Sequence, residues 1–209
     1  KIQIQNMKHE RHNLGKREWW QKAFTVKYLT TYIDTVTPVR TRNEVKFLNK
    51  ILKQYRVKTV LDVACGVGRH AFALSKLGYQ VVGIDQSKIF ISIAGKNKAV
   101  HNANVVFKVA DMRNFKLKKH FDAAICMFTS FGYFDHTHDD QKVLKQIATH
   151  LTKGGIFILD LNNSFRTAWR IAQLPDAYHR RHTITGSEQT QLSNKLRVDT
   201  VHALNLCTM

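Results

Sequence analysis

Two prolines and ten glycines in 209 residues are too few for a collagen-like or low-complexity chain. The three cysteines, Cys65, Cys126 and Cys207, are an odd number with no metal-ligand spacing between them. They read as reduced thiols, not as a disulfide framework or a zinc site. No apolar run approaches the roughly 18 residues of a membrane-spanning helix, and the first residues, KIQIQNMKHERHN, show no apolar stretch of the signal-peptide kind. The expectation is a cytoplasmic protein. Acids are scarce as well: 15 Asp and Glu stand against 33 Lys and Arg, a net charge of +18. Residues 1–60 hold 14 of those basic residues and only four acids. Such a field favours anionic partners, although a solvated lysine-rich surface accounts for it equally simply. The chain is rich in apolar residues, 44% of the total with 12 Phe and 3 Trp, enough to bury a core.

Three segments follow from the patterning, 1–57, 58–163 and 164–209. In the first, Trp20, Phe24, Tyr28 and Tyr32 recur at every fourth position from about 16 to 34, one stripe of a helix. That stripe reads as a packing face before it reads as a substrate cage. Thr41-Arg42-Asn43-Glu44 has the form of a capping box, with Val45, Leu48, Ile51, Leu52 and Tyr55 as the apolar face of the helix behind it. Beyond residue 58 short apolar runs at 59–64, 80–85, 104–109, 121–127 and 155–161 alternate with helical stretches at 69–77, 87–100 and 138–150. Alternation of this kind predicts an α/β fold, a doubly wound Rossmann-like, mostly parallel sheet with N-terminal helices. After it, a helix at 164–173 and a hairpin from 180–185 and 195–205 are expected.

The densest chemical signal is VLDVACGVGRHA at 60–71. A strand runs into a loop with Gly66 and Gly68, and Ala71 completes a G-x-G-x-x-A spacing at a helix start, where a ligand can approach the backbone. Asp85 ends the next strand, placed to accept from ribose hydroxyls. Those features leave dinucleotide oxidoreductases open. Asp62, inside the first strand, would repel a pyrophosphate and suits a ligand with positive charge near the loop. Asp111 follows the third strand, and three carboxylates at three successive strand ends suit a cationic nucleoside. His136 and His138, beside Asp135, Asp139 and Asp140, read as a helix-capping group more readily than as a base or metal ligands. Cys65 reads as a small packing residue.

In LDVACGVGRH (61–70), VVGIDQS (81–87), VADMRNF (109–115), FDAAICMFTSFGYF (121–134) and LTKGGIFILDLNN (151–163), the chain resembles the class I S-adenosylmethionine-dependent methyltransferases. Within them it resembles the small-molecule branch, with features of glycine N-methyltransferase-like enzymes. The resemblance implies methyl transfer from S-adenosylmethionine to a small-molecule acceptor by in-line displacement. It implies that 1–57 is a helical lid or cap and 58–163 the cofactor-binding core. It implies that the Gly66–Gly68 loop, with Asp62 and Ala64, approaches the methionine part of the cofactor, and that Asp85, with Gln86 beside it, holds the ribose. Asp111 would accept from the adenine amine, the Met112 N–H would lie near the ring, and Met127 would sit by the methionine moiety. Arg42 (or Arg40) would reach the cofactor carboxylate. No metal, nucleophilic serine or thiolate is expected, and no catalytic base is identifiable. Thr129-Ser130-Phe131-Gly132 replaces the Asn/Asp-Pro-Pro-aromatic motif of many nucleobase and glutamine methyltransferases, which argues against those substrates.

Two rival functions remain: an RNA acceptor, on the strength of the +18 charge, and a cofactor-binding interaction protein without turnover. The class I fold normally carries seven strands, so a five-strand chain is expected to be truncated at its C-terminus or to take a partner strand at its last edge.

Overall fold

The computed structural model describes residues 20, 23–32, 35–101 and 103–163. The helix expected at 164–173 and the hairpin at 180–205 lie outside the described residues. Helix α1 covers Val26–Tyr32 and α2 Pro38–Gln54; then follow β1 (Thr59–Val63), α3 (Arg69–Lys76), β2 (Gln80–Asp85), α4 (Lys88–His101), β3 (Val105–Val109), β4 (Phe121–Cys126), α5 (Thr137–Thr149) and β5 (Leu151–Leu159). The described strands form one sheet in the order β3-β2-β1-β4-β5, with every pairing parallel. Central β1 and β4 are almost continuously buried, as strands covered on both faces must be, and therefore read as apolar runs.

Alternate residues of β1 face opposite layers. Val60 joins Val45, Leu48 and Leu52 of α2 and Ala71, Phe72 and Leu74 of α3. Leu61 and Val63 join Trp20, Phe115, and Val143 and Ile147 of α5.

Three boundaries differ from the sequence pattern. Helix α2 starts at Pro38, not behind a capping box at Thr41: Thr37 is the N-cap, and its hydroxyl accepts from the Arg40 N–H at 3.1 Å. A proline at the first helical position has φ already set for the helix and no amide to leave unpaired. Glu44, released from capping, turns to other partners. The aromatic stripe is not one continuous helix either, because the chain bends at Phe24-Thr25 before α1 begins. Strand β5 begins at Leu151, four residues early, and absorbs Gly154-Gly155 where its register against β4 shifts between Phe121 and Ala123. Gly154 has φ +78°, the left-handed backbone that glycine tolerates.

One packing contact fixes the sheet next to the glycine loop. The Phe107 ring of β3 lies over Gly83 of β2; a Cβ on Gly83 would meet Cys65 Sγ and the Phe107 ring at 2.8 Å each. Gly83→Ala should therefore destabilise the fold by about 1–3 kcal/mol through overpacking, read by urea denaturation. Phe107→Leu in the same chain should recover part of that loss.

Candidate active site

In a parallel sheet all strands end on one edge, and where strand order reverses a crevice opens between neighbouring loops. Here the reversal falls between β1 and β4, and a cavity of about 810 Å³ opens there. Asp62, Ala64, Gly66, Asp85 and Gln86 line it, and so do Asp111, Met112, Met127 and, at the rim, Arg42. Gly68 is not among the lining residues: a Cβ there would strike the Phe107 ring at 2.6 Å. The two glycines of the motif thus do different work. Gly68 makes room for Phe107. A Cβ on Gly66 would have no described neighbour within 4 Å and would project into open space.

The loop is tied down by Asp85. One carboxylate oxygen accepts the Gly66 N–H at 2.9 Å and the other the Ser87 N–H at 2.8 Å. Burial pushes the Asp85 pKa up, and these two N–H groups oppose the rise. Each oxygen keeps acceptor capacity beyond its one bond. Asp62 is 1% exposed, and its Oδ2 has no hydrogen-bond partner among the described residues. Burial raises its pKa to about 7; Arg69 and the Ala71 N–H oppose the rise, and the Asp85 charge adds to it.

Asp111 is already engaged. Arg113 donates Nε to both of its oxygens at 3.2 and 3.1 Å, Nη2 to Oδ2 at 2.7 Å and its backbone N–H to Oδ1 at 2.8 Å. The same guanidinium lies over the rings of Trp20 and Phe134, at 5.1 and 4.5 Å from their centroids. Gln86 donates its amide to the Trp20 carbonyl at 3.2 Å, and Ser87 its hydroxyl to the Phe24 carbonyl at 3.2 Å. Trp20 and Phe24, which both line the cavity, are thereby tied to the residues just after β2.

Residues 60–155, which hold this glycine loop at the switch point, the acid that ends β2 and the buried acid of β1, match a family described as "Methyltransferase domain". These residues form a methyltransferase domain of the class I, S-adenosylmethionine-dependent kind. The chain is 33% identical over 126 residues to a glycine/sarcosine N-methyltransferase of Parasynechococcus marenigrum, covering 59% of this chain and 45% of the relative. To a ubiquinone biosynthesis O-methyltransferase of Coxiella burnetii it is 29% identical over 152 residues, 72% of this chain and 59% of the relative. It spans about half the length of the curated relatives it matches. The fold is shared with an S-adenosylmethionine-dependent methyltransferase from Clostridium acetobutylicum, with a TM-score of 0.60, 22% identity, and coverage of 68% of this chain and 59% of that one.

One feature of this methyltransferase core escaped the sequence pattern. Glu44 of α2 gathers three donors: Arg40 Nε at 2.8 Å, Arg69 Nη1 in a close contact, and His70 Nε2 at 2.9 Å. Burial alone would raise the Glu44 pKa, but the bonds from His70, Arg69 and Arg40 outweigh it and hold the carboxyl well below its usual range. Burial keeps the His70 pKa low despite the Glu44 bond, so His70 is a neutral donor through Nε2. The Arg40–Glu44 spacing of four residues was visible; the meeting of α2 with the start of α3 was not.

Phe128 and Thr129, after β4, hold left-handed φ values of +61° and +56°. Asp160 secures them, its carboxylate accepting the Phe128 N–H at 2.9 Å and its carbonyl the Thr129 N–H at 3.0 Å. His136 is the N-cap residue of α5 without a side-chain capping bond, and its ring stacks on His138 at 5.4 Å. Cys65 is buried, with its sulfur toward Gly83.

Asp62 generates a pH signature. Its native pKa, near 7, exceeds the ordinary 3.8, so the folded state binds the extra proton between those values. Its contribution to stability is present below about pH 4 and is lost as pH rises through about 7. Denaturant titrations from pH 4.5 to 8 should show Asp62→Asn removing a downward slope of at most about 1.4 kcal/mol per pH unit. Equal slopes in the two proteins would place Asp62 in a wetter setting.

Proposed function

We propose that this cavity binds S-adenosylmethionine and that the whole protein transfers its methyl group to a small-molecule acceptor. The observation that carries this is that Asp62, Gly66, Asp85 and Asp111 line one cavity where the strand order reverses, with one Asp62 oxygen buried and unpartnered among the described residues. A buried carboxylate oxygen left without a partner is costly, and a cationic ligand end removes that cost. The remaining donors and acceptors fit the rest of the same ligand. The spare acceptor capacity of Asp85 suits a pair of ribose hydroxyls, while the apolar stretch from Phe90 to Ala110 and Met112 suits an adenine ring.

Bound there, S-adenosylmethionine supplies a methyl carbon already activated by a positively charged sulfur. The protein's part is then mainly alignment and exclusion of water. Gly66 and Asp85 fix one end of the ligand. Met127 and Phe128 line the wall after β4, and Trp20, Phe24 and Tyr28 line the same cavity, which supports a cap role for 1–57 over a 58–163 core. The Ser130 hydroxyl donates to the Met127 carbonyl at 2.9 Å, so the residues after β4 serve position before proton transfer.

Small acceptors are favoured by the relatives, whose names specify glycine or sarcosine, ubiquinone biosynthesis, and a dTDP-linked amino sugar. No described helix is long and apolar enough to cross a membrane. Two buried free thiols, Cys65 and Cys126, suit the reducing cytoplasm.

Calorimetry with S-adenosylhomocysteine and NAD tests the binding directly: the first should bind and the second should not. Asp85→Ala should lower affinity by at least about tenfold, having lost charge-assisted bonds to ribose. NAD binding without S-adenosylhomocysteine binding would refute the proposal.

A further inference from the structure

Charge is divided along the strand direction. Apart from Asp122, every acid among the described residues lies in the cavity half. Glu44 is beside Arg69, Asp62 and Asp85 are in β1 and at the end of β2, and the rest follow β3, β4 or β5 or fall in the first turn of α5. The opposite edge, where the strands begin, carries cations. Lys58 precedes β1, Lys118 and Lys119 lead into β4, and Lys153 follows the start of β5. Lys53, in the last turn of α2, and Arg56, in the turn after it, join them. All six are exposed, and none forms an ion pair among the described residues.

This edge is one surface. The sheet order sets the starts of β2, β1, β4 and β5 side by side, about 4.8 Å apart. The Gln80 N–H donates to the Lys58 carbonyl at 2.9 Å, and Lys119 Nζ reaches Gln80 Oε1 at 2.9 Å. Asp122, the one described acid here, spends Oδ2 on the Lys58 N–H, the Thr59 N–H and the Thr59 hydroxyl. It ties β4 to β1 and leaves the cations in excess. A helix C-terminus welcomes Lys53 by its dipole, but Lys58, Lys118, Lys119 and Lys153 lie on no helix. Gathering them raises self-repulsion that an anionic partner relieves. Two exposed apolar side chains stand with them: Tyr55 and Leu77, the C-cap residues of α2 and α3, are 39% and 51% exposed.

We propose that this edge docks the protein on an anionic lipid surface, with the lysines over the headgroups, Leu77 and Tyr55 entering the interface, and the cavity edge turned toward water. Clusters of about four to eight Lys and Arg are what anionic headgroups attract, each cation strengthening attachment by roughly fivefold. An aliphatic and an aromatic side chain among them add the apolar contact that surface attachment uses. A nucleic acid strand is held by cations along a groove and by rings that stack on its bases. Here the cations flank strand starts set in a row, and Leu77 gives a base nothing to stack on. The surface lies at the end of the sheet away from the cavity, so it stands whether or not the proposed cofactor binds there.

Vesicle flotation is the test. The protein should float with vesicles of equal parts phosphatidylcholine and phosphatidylglycerol, stay behind with phosphatidylcholine alone, and detach as salt rises. Lys58→Gln, Lys118→Gln and Lys119→Gln together should weaken attachment by at least about tenfold. Three exposed lysines elsewhere, changed together as Lys46→Gln, Lys88→Gln and Lys96→Gln, remove the same charge and should weaken it by less than about threefold. Leu77→Ser should lower affinity for the anionic vesicles by roughly threefold and leave binding to polyuridylate unchanged. No flotation with the anionic vesicles, or equal losses in the two triple variants, would overturn the proposal. So would polyuridylate that strips the wild type from the vesicles at equal phosphate concentration, because the edge would then prefer a nucleic acid strand.

Discussion

The site depends on the hydrogen bond from the Gly66 N–H to the Asp85 carboxylate, 2.9 Å long. It joins the end of β2 to the loop after β1, and with the Ser87 N–H on the other oxygen it makes one buried acid the anchor of two connections. The loop alternates left-handed residues at Ala64, Gly66 and Gly68, a conformation that needs an outside hold. Asp85 supplies the hold while keeping acceptor capacity toward the cavity. On the proposed function an acid placed here would serve the fold and a ligand at once, which is why its replacement should disturb both loop and binding.

Around that anchor, electrostatics and packing share the work. Phe107 presses the sheet against the loop and demands glycine at 68 and 83. Glu44 draws α2 onto the start of α3 by collecting Arg40, Arg69 and His70. The sign of its effect is opposite to that of Asp62. A carboxyl held below its ordinary value contributes stability that is present above about pH 4.5 and is lost as pH falls further. The structure thus pairs one acid satisfied within the fold with one left wanting.

Much of this was legible in the residues. Buried parallel strands read as apolar runs, so TVLDVA, QVVGID and FDAAICM announced the sheet, and the glycine spacing with Asp85 announced the loop. Local ambiguities hid the rest. Thr37-Pro38 and Thr41-Glu44 both look like helix starts, and the proline decides between them. Gly154-Gly155 looks like a turn before a strand, whereas the strand runs through it with a shifted register. The hold of Arg113 on Asp111 joins residues two apart, but the rings of Trp20 and Phe134 that lie against the same guanidinium come from distant segments. The Glu44–Arg69 pair spans 25 residues, and nothing local marks it.

The central claim is that a buried acid at the glycine loop awaits a positively charged ligand end. Proton release on binding tests it most directly, because Asp62, whose pKa burial raises to about 7, must ionise to meet an ammonium. Calorimetry of S-adenosylhomocysteine binding in buffers of different ionisation enthalpy should show release of part of a proton per ligand at pH 7, more at pH 6, and none from this site in Asp62→Asn. Binding without proton release in the wild type, or with the same release in Asp62→Asn, would contradict the account.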